Sequence, residues 1–342
     1  RPPGLCITSN TMSIPATFQA FRIHNDDQGY RAGIESMGVD QLSAGEVVIR
    51  AAHSSVNYKD ALAGTGKGRI LRRFPLVGGI DVSGHVAAST DPRFREGDAV
   101  LVTGRGLGET RDGGYAEYVR VEADMVVPLP DGLDLREAMI LGTAGFTAAL
   151  GLLRMVENHQ TPEMGPLAVT GASGGVGSLA LDIFSTAGFE VHAISGKPEQ
   201  TAYLEGIGAT QVLGRDALAT TRPLESARFG GGFDNVGGPM LASLLAQTRP
   251  YGNVGSAGLA ATHQLDATAM PFILRGVSLL GVASTDTPHH HRDEVWRRLA
   301  SDWKPRHLQR ICTREATLEE LPGVFDTMLA GGSLGRTLVT LP

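Results

Sequence analysis

Between residues 18 and 127 the apolar positions come in short runs. Val47-Val48-Ile49-Arg50, residues 82–87, Ala99-Val100-Leu101-Val102 and residues 115–121 are separated by clusters of Gly, Asp and Pro. Such runs, divided by turn formers, predict strands of a mostly β, barrel-like domain. From Leu135 the rhythm changes. Residues 136–154 predict a pair of helices interrupted around Gly142-Thr143-Ala144-Gly145. Apolar strands then recur at 167–169, 191–194, 211–213, 233–236, 252–254 and 278–282, mainly with helical stretches between them. Six strands in that alternation predict a complete doubly wound parallel sheet, an α/β fold of Rossmann type. Helices at 293–303 and 318–330 and a last strand at 337–341 are expected to return to the first domain. The predicted division is 12–135 with 286–342 for the β-rich domain, and 136–285 for the α/β domain.

The most informative stretch joins the first two strands of the predicted parallel sheet. Gly171-Ala172-Ser173-Gly174-Gly175-Val176-Gly177 opens a segment in which Val176, Leu179, Ala180, Ile183, Phe184 and Ala187 form one apolar stripe at helical spacing. The glycine turn therefore lies at a helix N-terminus. Free N–H groups and the positive end of the helix dipole meet a ligand there, and missing side chains let a pyrophosphate approach the backbone. Ser173, Gly174, Gly175 and Val176 are the expected pyrophosphate contacts. The match to Gly-x-Gly-x-x-Gly is incomplete, because Ala172 stands in the first glycine place. Gly171 to Gly175 also spells the Gly-x-Ser-x-Gly of a serine-hydrolase elbow, for which Ser173, Asp234 and His263 could be named, and a purely structural turn is a third reading.

Residues beyond the second strand favour the dinucleotide. Ser195-Gly196-Lys197 falls roughly 20 residues after Gly174, where such folds contact the adenosine ribose. NAD enzymes place an acid there, whereas this chain offers a hydroxyl and a cation, which suits the 2′-phosphate of NADPH.

At 342 residues the chain is longer than one core usually supports, in keeping with two domains. A net charge of −6 and no dense Lys/Arg run argue against nucleic acid or a membrane surface as partner. The longest uncharged stretch, 138–153, is shorter than the ~20 residues of a spanning helix and is expected to be buried. Two cysteines, Cys6 and Cys312, at opposite ends rule out a disulfide framework and a cysteine-rich zinc lobe, and imply a reducing, cytoplasmic compartment. Residues 1–11 lack the apolar core and cleavage pattern of a signal peptide, and Met12 opens a more ordinary start.

Asn57-Tyr58-Lys59-Asp60, Gly66-Lys67-Gly68 with Arg72-Arg73-Phe74-Pro75, Gly79-Ile80-Asp81, Gly142-Thr143-Ala144-Gly145-Phe146-Thr147-Ala148 and Pro271-Phe272-Ile273-Leu274-Arg275-Gly276-Val277 add a further layer. With the domain layout, they resemble the acrylyl-CoA reductase and quinone-oxidoreductase-like branch of the medium-chain dehydrogenase/reductases, over essentially all of residues 12–342. One departure is Gly78, where proline is expected before Gly79. The resemblance implies a Rossmann domain inserted in a GroES-like catalytic domain. It also implies NADPH as cofactor and a homodimer formed through the Rossmann sheet. Tyr58 would line the catalytic site and touch the cofactor. Thr143, Leu259, Ile273 and Ser284 would surround the nicotinamide ribose and carboxamide, and Arg215 would add a cation at the adenosine end.

Zinc-dependent members carry cysteine and Gly-His-Glu ligands where this chain has Asn57-Tyr58 and Gly79-Ile80-Asp81, so a metal-free site is expected. His289, His290 and His291 are consecutive and are expected in a solvated loop rather than in a ligand set. Without zinc a simple carbonyl is poorly polarised, but a conjugated C=C can accept hydride while charge moves onto a thioester or ketone oxygen. The expected reaction is reduction of a short enoyl-CoA, most simply acryloyl-CoA to propanoyl-CoA. Quinone or enone reduction is the alternative, and cofactor sensing without turnover is a third possibility. Arg69, Arg72 and Arg73, with Lys67, are candidates for the phosphates of CoA.

Overall fold

A computed structural model describes residues 14–342. Cys6 and the remainder of 1–11 lie outside the described residues. The chain starts with β1 (Phe18–Asp26), β2 (Gly29–Met37), β3 (Val47–Val56), α1 (Tyr58–Thr65), β4 (Leu76–Val77), β5 (Asp81–Ser89), β6 (Ala99–Thr103), β7 (Tyr118–Val121) and β8 (Val127–Pro128). A 23-residue helix, α2 (Leu135–Glu157), leads to β9 (Leu167–Thr170), α3 (Gly175–Thr186), β10 (Val191–Ile194), α4 (Thr201–Gly206), β11 (Gln211–Leu213) and α5 (Arg215–Leu218). After these come β12 (Gly231–Asp234), α6 (Gly238–Ala246), β13 (Asn253–Ser256), α7 (Met270–Arg275) and β14 (Ser278–Gly281). The chain closes with α8 (His289–Leu299), α9 (Leu308–Ile311), β15 (Cys312–Ala316), α10 (Leu321–Leu329) and β16 (Arg336–Thr340).

Strands β9 to β14 form one parallel sheet in the order β11-β10-β9-β12-β13-β14. Numbered from its first strand this is 3-2-1-4-5-6, the doubly wound order, with its switch point between β9 and β12. Side chains alternate across the sheet as the pleat requires. Leu167 and Val169 enter the core beneath α2 and α3, while Ala168 enters a second core with Leu241, Leu244 and Val254. The first domain holds the sheet β15-β16-β3-β5-β6-β8, with β7 also on β3, and the smaller sheet β2-β1-β4. Antiparallel pairing of β16 with β3 brings the end of the chain back to its beginning.

The predicted stripe of α3 is the buried one, yet Ser178 and Asp182 are also buried. The returning chain covers that polar side, and the Asp182 carboxylate accepts from the amides of Arg306 and His307 at 3.0 and 2.7 Å. The strand expected at 233–236 ends at Asp234, because Gly237 and Gly238 turn outward with φ of +78° and +55°. Residues 115–117 stay outside β7; Tyr115 donates its amide to Gly78 instead. Gly78 is buried within that pairing, where proline was expected.

The helix expected at 293–303 starts four residues earlier, so His289, His290 and His291 form its first turn rather than a loop. His291 pairs with Glu157 at 3.3 Å, and His289 Nδ1 accepts from Arg292. This α8 packs on α2, with Val295, Trp296 and Leu299 in the core shared with α3. It does not join the first domain's core, which receives Leu321, Val324 and Phe325 of α10. By length and composition α2 could cross a membrane, but 83% of its apolar window is buried inside the fold.

Candidate active site

Helix α3 begins directly after the glycine turn, with Gly174 as its N-cap. The amides of Gly175 and Val176 have no carbonyl partner among the described residues. Gly171 turns with φ of +59°, and a Cβ on Gly177 would stand 2.2 Å from the Gly171 carbonyl oxygen, so that position admits only glycine. A Cβ at Gly174 would meet nothing nearer than 3.5 Å, which leaves the mouth of the turn open. Hydrogen bonds from Thr170 Oγ1 to Asp234 (2.7 Å) and from the amide of Gly237 to the same carboxylate (2.7 Å) hold β9 and β12 together at the switch point. Asp234 is thereby committed. His263 is exposed, and neither it nor Ser173 is hydrogen-bonded to the other or to Asp234, so the hydrolase triad is not assembled.

At the far end of the turn the structure brings together Ser195, Gly196, Lys197 and Arg215. The Ser195 hydroxyl accepts the amide of Lys197 at 3.1 Å. Arg215 lies across Gly196, where a Cβ would come within 2.8 Å of its Nε. Lys197 Nζ donates to the carbonyl of Gly331 at 2.5 Å. A hydroxyl and two cations thus surround a backbone stripped of side chain, a fit for a phosphate dianion.

Where the two domains meet, a buried polar network has formed that the sequence reading did not anticipate. Asp81, at the start of β5, is fully buried. Its carboxylate accepts from Ser55 Oγ (2.6 Å), Asn57 Nδ2 (2.8 Å), the amide of Thr143 (3.0 Å) and Thr143 Oγ1 (2.5 Å). Both oxygens are therefore in use. Arg336, at the start of β16, is equally enclosed and donates to the carbonyls of Ile140 (2.9 Å) and Val56 (3.1 Å) and to Asn57 Oδ1 (3.2 Å). Its Nη2 is buried without a partner. The break in α2 is the reason the two groups fit. Gly142 adopts φ 49° and ψ −155°, and a Cβ there would lie 2.6 Å from Asp81 Oδ2 and 2.9 Å from Arg336 Nη2.

Asp60, one turn into α1, completes the cluster by accepting from the amides of Asn57 (2.8 Å) and Ile80 (3.0 Å). Burial, and then the charge of Asp81, push its carboxyl up to about 7. Burial likewise works against the charge of Arg336, with Asp81 and Asp60 opposing that effect. The glycine turn touches this network directly. Ser173 accepts the amide of Gly335 at 3.0 Å, and Arg336 Cδ would be 3.0 Å from a Cβ on Gly175.

Other expected residues are spread around this centre. Tyr58 opens α1 beside Asn57, 55% exposed, and its phenol has no partner among the described residues. Leu259 and Ile273 are 65% and 79% exposed, so neither packs in the core. Ser284 lies at the domain seam, its carbonyl oxygen 3.5 Å from where a Cβ on Gly104 would stand. Arg69 and Arg72 are exposed, with no side-chain partner among the described residues. Arg73 is set apart from them, its guanidinium bonded to the Thr110 carbonyl (3.0 Å) and Ser43 and close to Asp112 (3.9 Å). Asn57, Asp60 and Asp81 stood inside motifs noted for their lack of zinc ligands, and that signal could have found them; Arg336 had none.

A β-rich domain joined to a 3-2-1-4-5-6 sheet, with a phosphate-ready turn facing the seam, defines a two-domain dinucleotide-dependent oxidoreductase. The family descriptions Alcohol dehydrogenase GroES-like domain and Zinc-binding dehydrogenase match residues 43–131 and 175–301. The acrylyl-CoA reductase AcuI of Ruegeria pomeroyi is 43% identical, covering 94% of this chain and 98% of its own. The putative quinone oxidoreductase YhfP of Bacillus subtilis is also 43% identical, over 95% of this chain and 99% of its own. Among solved structures, the yhdH oxidoreductase of Salmonella enterica in complex with NADP superposes with a TM-score of 0.91 at 45% identity, covering 95% of this chain and all (100%) of that one. The Bacillus subtilis protein yhfP with NAD bound gives 0.93 at 42% identity, over 96% and 100% of the two chains. The chain belongs to the medium-chain dehydrogenase/reductase family, in the branch that holds these relatives.

The zinc named in one of those family descriptions finds no ligand set in this site. Asp81 has no free oxygen, Asn57 and Tyr58 supply no thiolate or imidazole, and no group of three or more His, Cys, Asp or Glu residues is placed to hold a metal among the described residues.

Proposed function

We propose that this protein uses NADPH to reduce the C=C bond of a short enoyl-CoA, acryloyl-CoA to propanoyl-CoA being the simplest case. The observation that carries the reading is near-full-length identity of 43% to 44% with relatives named acrylyl-CoA reductase. The site supports it from its own chemistry. Ser195, Lys197 and Arg215 can hold the 2′-phosphate, the amides of Gly175 and Val176 the pyrophosphate, and the spare Nη2 of Arg336 an anionic oxygen beside them.

Bound at this turn, NADPH would supply the hydride that adds to the β-carbon of the enoyl group and leave as NADP+, and a proton from solvent at the α-carbon would complete the saturated thioester. Asp81 fixes Thr143 by accepting hydrogen bonds from both its amide and its hydroxyl, which leaves the threonine oxygen as an acceptor toward the cofactor. Tyr58 presents its phenol to the acyl group, where it can donate to the enolate oxygen as charge builds there. Arg69 and Arg72 extend toward the CoA phosphates, and binding energy gained there orients the reacting carbon.

The test is NADPH oxidation against acryloyl-CoA, crotonyl-CoA, a quinone and an aldehyde. Acryloyl-CoA is expected to give the highest kcat/KM and to outperform a small acrylate ester. Replacing Arg69 and Arg72 with alanine is expected to shrink that advantage roughly tenfold, as loss of charge-assisted contacts at an exposed site would. If quinones are reduced faster than any enoyl-CoA, and the two substitutions leave enoyl-CoA kinetics unchanged, a general quinone or enone reductase replaces this reading.

Because the donor set suits no zinc, activity is expected to survive exhaustive chelation, and metal analysis is expected to find no stoichiometric zinc. Loss of activity on chelation, restored by added zinc, would contradict this. We further propose a homodimer acting in the reducing cytoplasm. Support for the dimer comes from β14, which ends the parallel sheet, and from the neighbouring exposed side chains of Ile273 and Leu274. Light scattering should then give twice the mass of the chain, and a monomer mass at micromolar concentration would refute it.

A further inference from the structure

The cation read as a 2′-phosphate ligand already has a partner in the other domain. Lys197 Nζ bonds the carbonyl of Gly331, which stands just past the C-terminus of α10. That end is capped by bonds from Gly331 and Gly332 to the carbonyls of Met328 and Thr327, and it carries the negative pole of the helix dipole. From there the chain runs along the cofactor turn. Gly335, with φ of +60°, leaves only 2.7 Å between a Cβ and the Tyr203 hydroxyl, and its amide donates to Ser173. Arg336 then lies on Gly175.

Helix α10 reaches the catalytic side as well. Phe325 packs so tightly on α1 that a Cβ on Gly64 would stand 2.3 Å from its ring. Helix α1 carries Tyr58 at its first position and Asn57 as its cap. The nine-residue α10 and the turn that caps it therefore touch Lys197 at one end and the support of Tyr58 on the helix face.

We infer that Lys197 is a positioning residue that couples the 2′-phosphate to the seating of α1, by bridging the phosphate and the Gly331 carbonyl. This inference rests on the NADPH reading above. An ammonium has three donors, so one can stay on Gly331 while the others reach the phosphate. Alone, the half-exposed side chain must give up rotamer freedom for a single neutral acceptor, which makes a weak bridge. Once a phosphate dianion has ordered the same ammonium, the bond to Gly331 forms at little further entropic cost, so the two contacts reinforce each other. Coupling of this kind is reciprocal, and a docked α10 tightens the phosphate site in turn.

The experiment is amide hydrogen exchange over residues 329–336 in the full protein, saturated with NADP+ or with NAD+. NADP+ is expected to slow exchange there several-fold more than NAD+ does. In Lys197→Met that difference should vanish, and in Arg215→Met, measured at saturation, it should persist. Saturating kcat should follow the same pattern, higher with NADPH than with NADH in the unaltered protein and equal in Lys197→Met. Equal protection by both cofactors, or a difference that survives Lys197→Met, overturns the bridge. Calorimetry separates the two levels: if NADP+ binds no tighter than NAD+, the cofactor reading itself fails. If it binds tighter yet protects residues 329–336 no better, only the coupling fails.

Discussion

Replacing Lys197 and Arg215 together with alanine is expected to lower the ratio of kcat/KM for NADPH to that for NADH by roughly a hundredfold or more. Charge-assisted hydrogen bonds to a phosphate contribute about 1.5–3 kcal/mol each, and each 1.4 kcal/mol is a factor of ten. Arg215 is exposed and Lys197 half-buried, which places the sum at the lower end of that range. Single substitutions should each remove about a tenfold share. NADH kinetics should barely change, since Ser195 and the turn at Gly174 do not depend on either cation. Equal kcat/KM for the two cofactors in the unaltered protein would reject the assignment of all three residues.

The second large effect is expected from Asp81→Ala. That change leaves the buried Ser55 hydroxyl and both donors of Thr143 without their acceptor, and takes from the Asn57 side-chain amide one of its two carboxylate partners, Asp60 being the other. Each buried unsatisfied group costs about 1–3 kcal/mol, and Arg336 loses a nearby opposite charge. Relaxation of the freed groups offsets part of this, so a net loss of about 3–5 kcal/mol is expected, lowering the midpoint of thermal unfolding by roughly 10 °C. Activity should fall at least a hundredfold even where the protein remains folded, since Thr143 and Asn57 lose their common anchor. A variant with unaltered Tm and kcat would show that the network neither stabilises the seam nor orders the site.

What the chain disclosed in advance follows from the kind of signal each feature leaves. The stripe from Val176 to Ala187 faces a single apolar surface, so its period announced both a helix and the turn before it. Strands β9 and β10 are buried along their whole length, which writes them as apolar runs; β12 lies two residues earlier than its expected span, because Gly231 and Gly232 carry no apolar signal while Gly237 and Gly238 redirect the backbone after Asp234, and β13 runs two residues beyond its expected end. The start of α8 was hidden for the opposite reason. His289 to Asp293 hold no apolar residue, and Pro288, which caps the helix, was as compatible with a loop. Least legible was the buried network. Asp81, Thr143 and Arg336 are polar residues with no periodicity between them, and a burial pattern cannot show that a carboxylate deep in one domain meets an arginine from the far end of the chain.

That last meeting has a consequence for how the protein is made. Arg336 bonds the carbonyl of Val56 across 280 positions of sequence. The parallel sheet can pair as its strands emerge during synthesis, but the site at the seam cannot close until β16 has left the ribosome and found β3. Until then Asp60 and Asp81 have no cation near them, and the two carboxylates repel each other within the partly built core. A chain cut before Arg336 would keep its nucleotide turn yet lack both the cation and the strand that close the chemistry beside it.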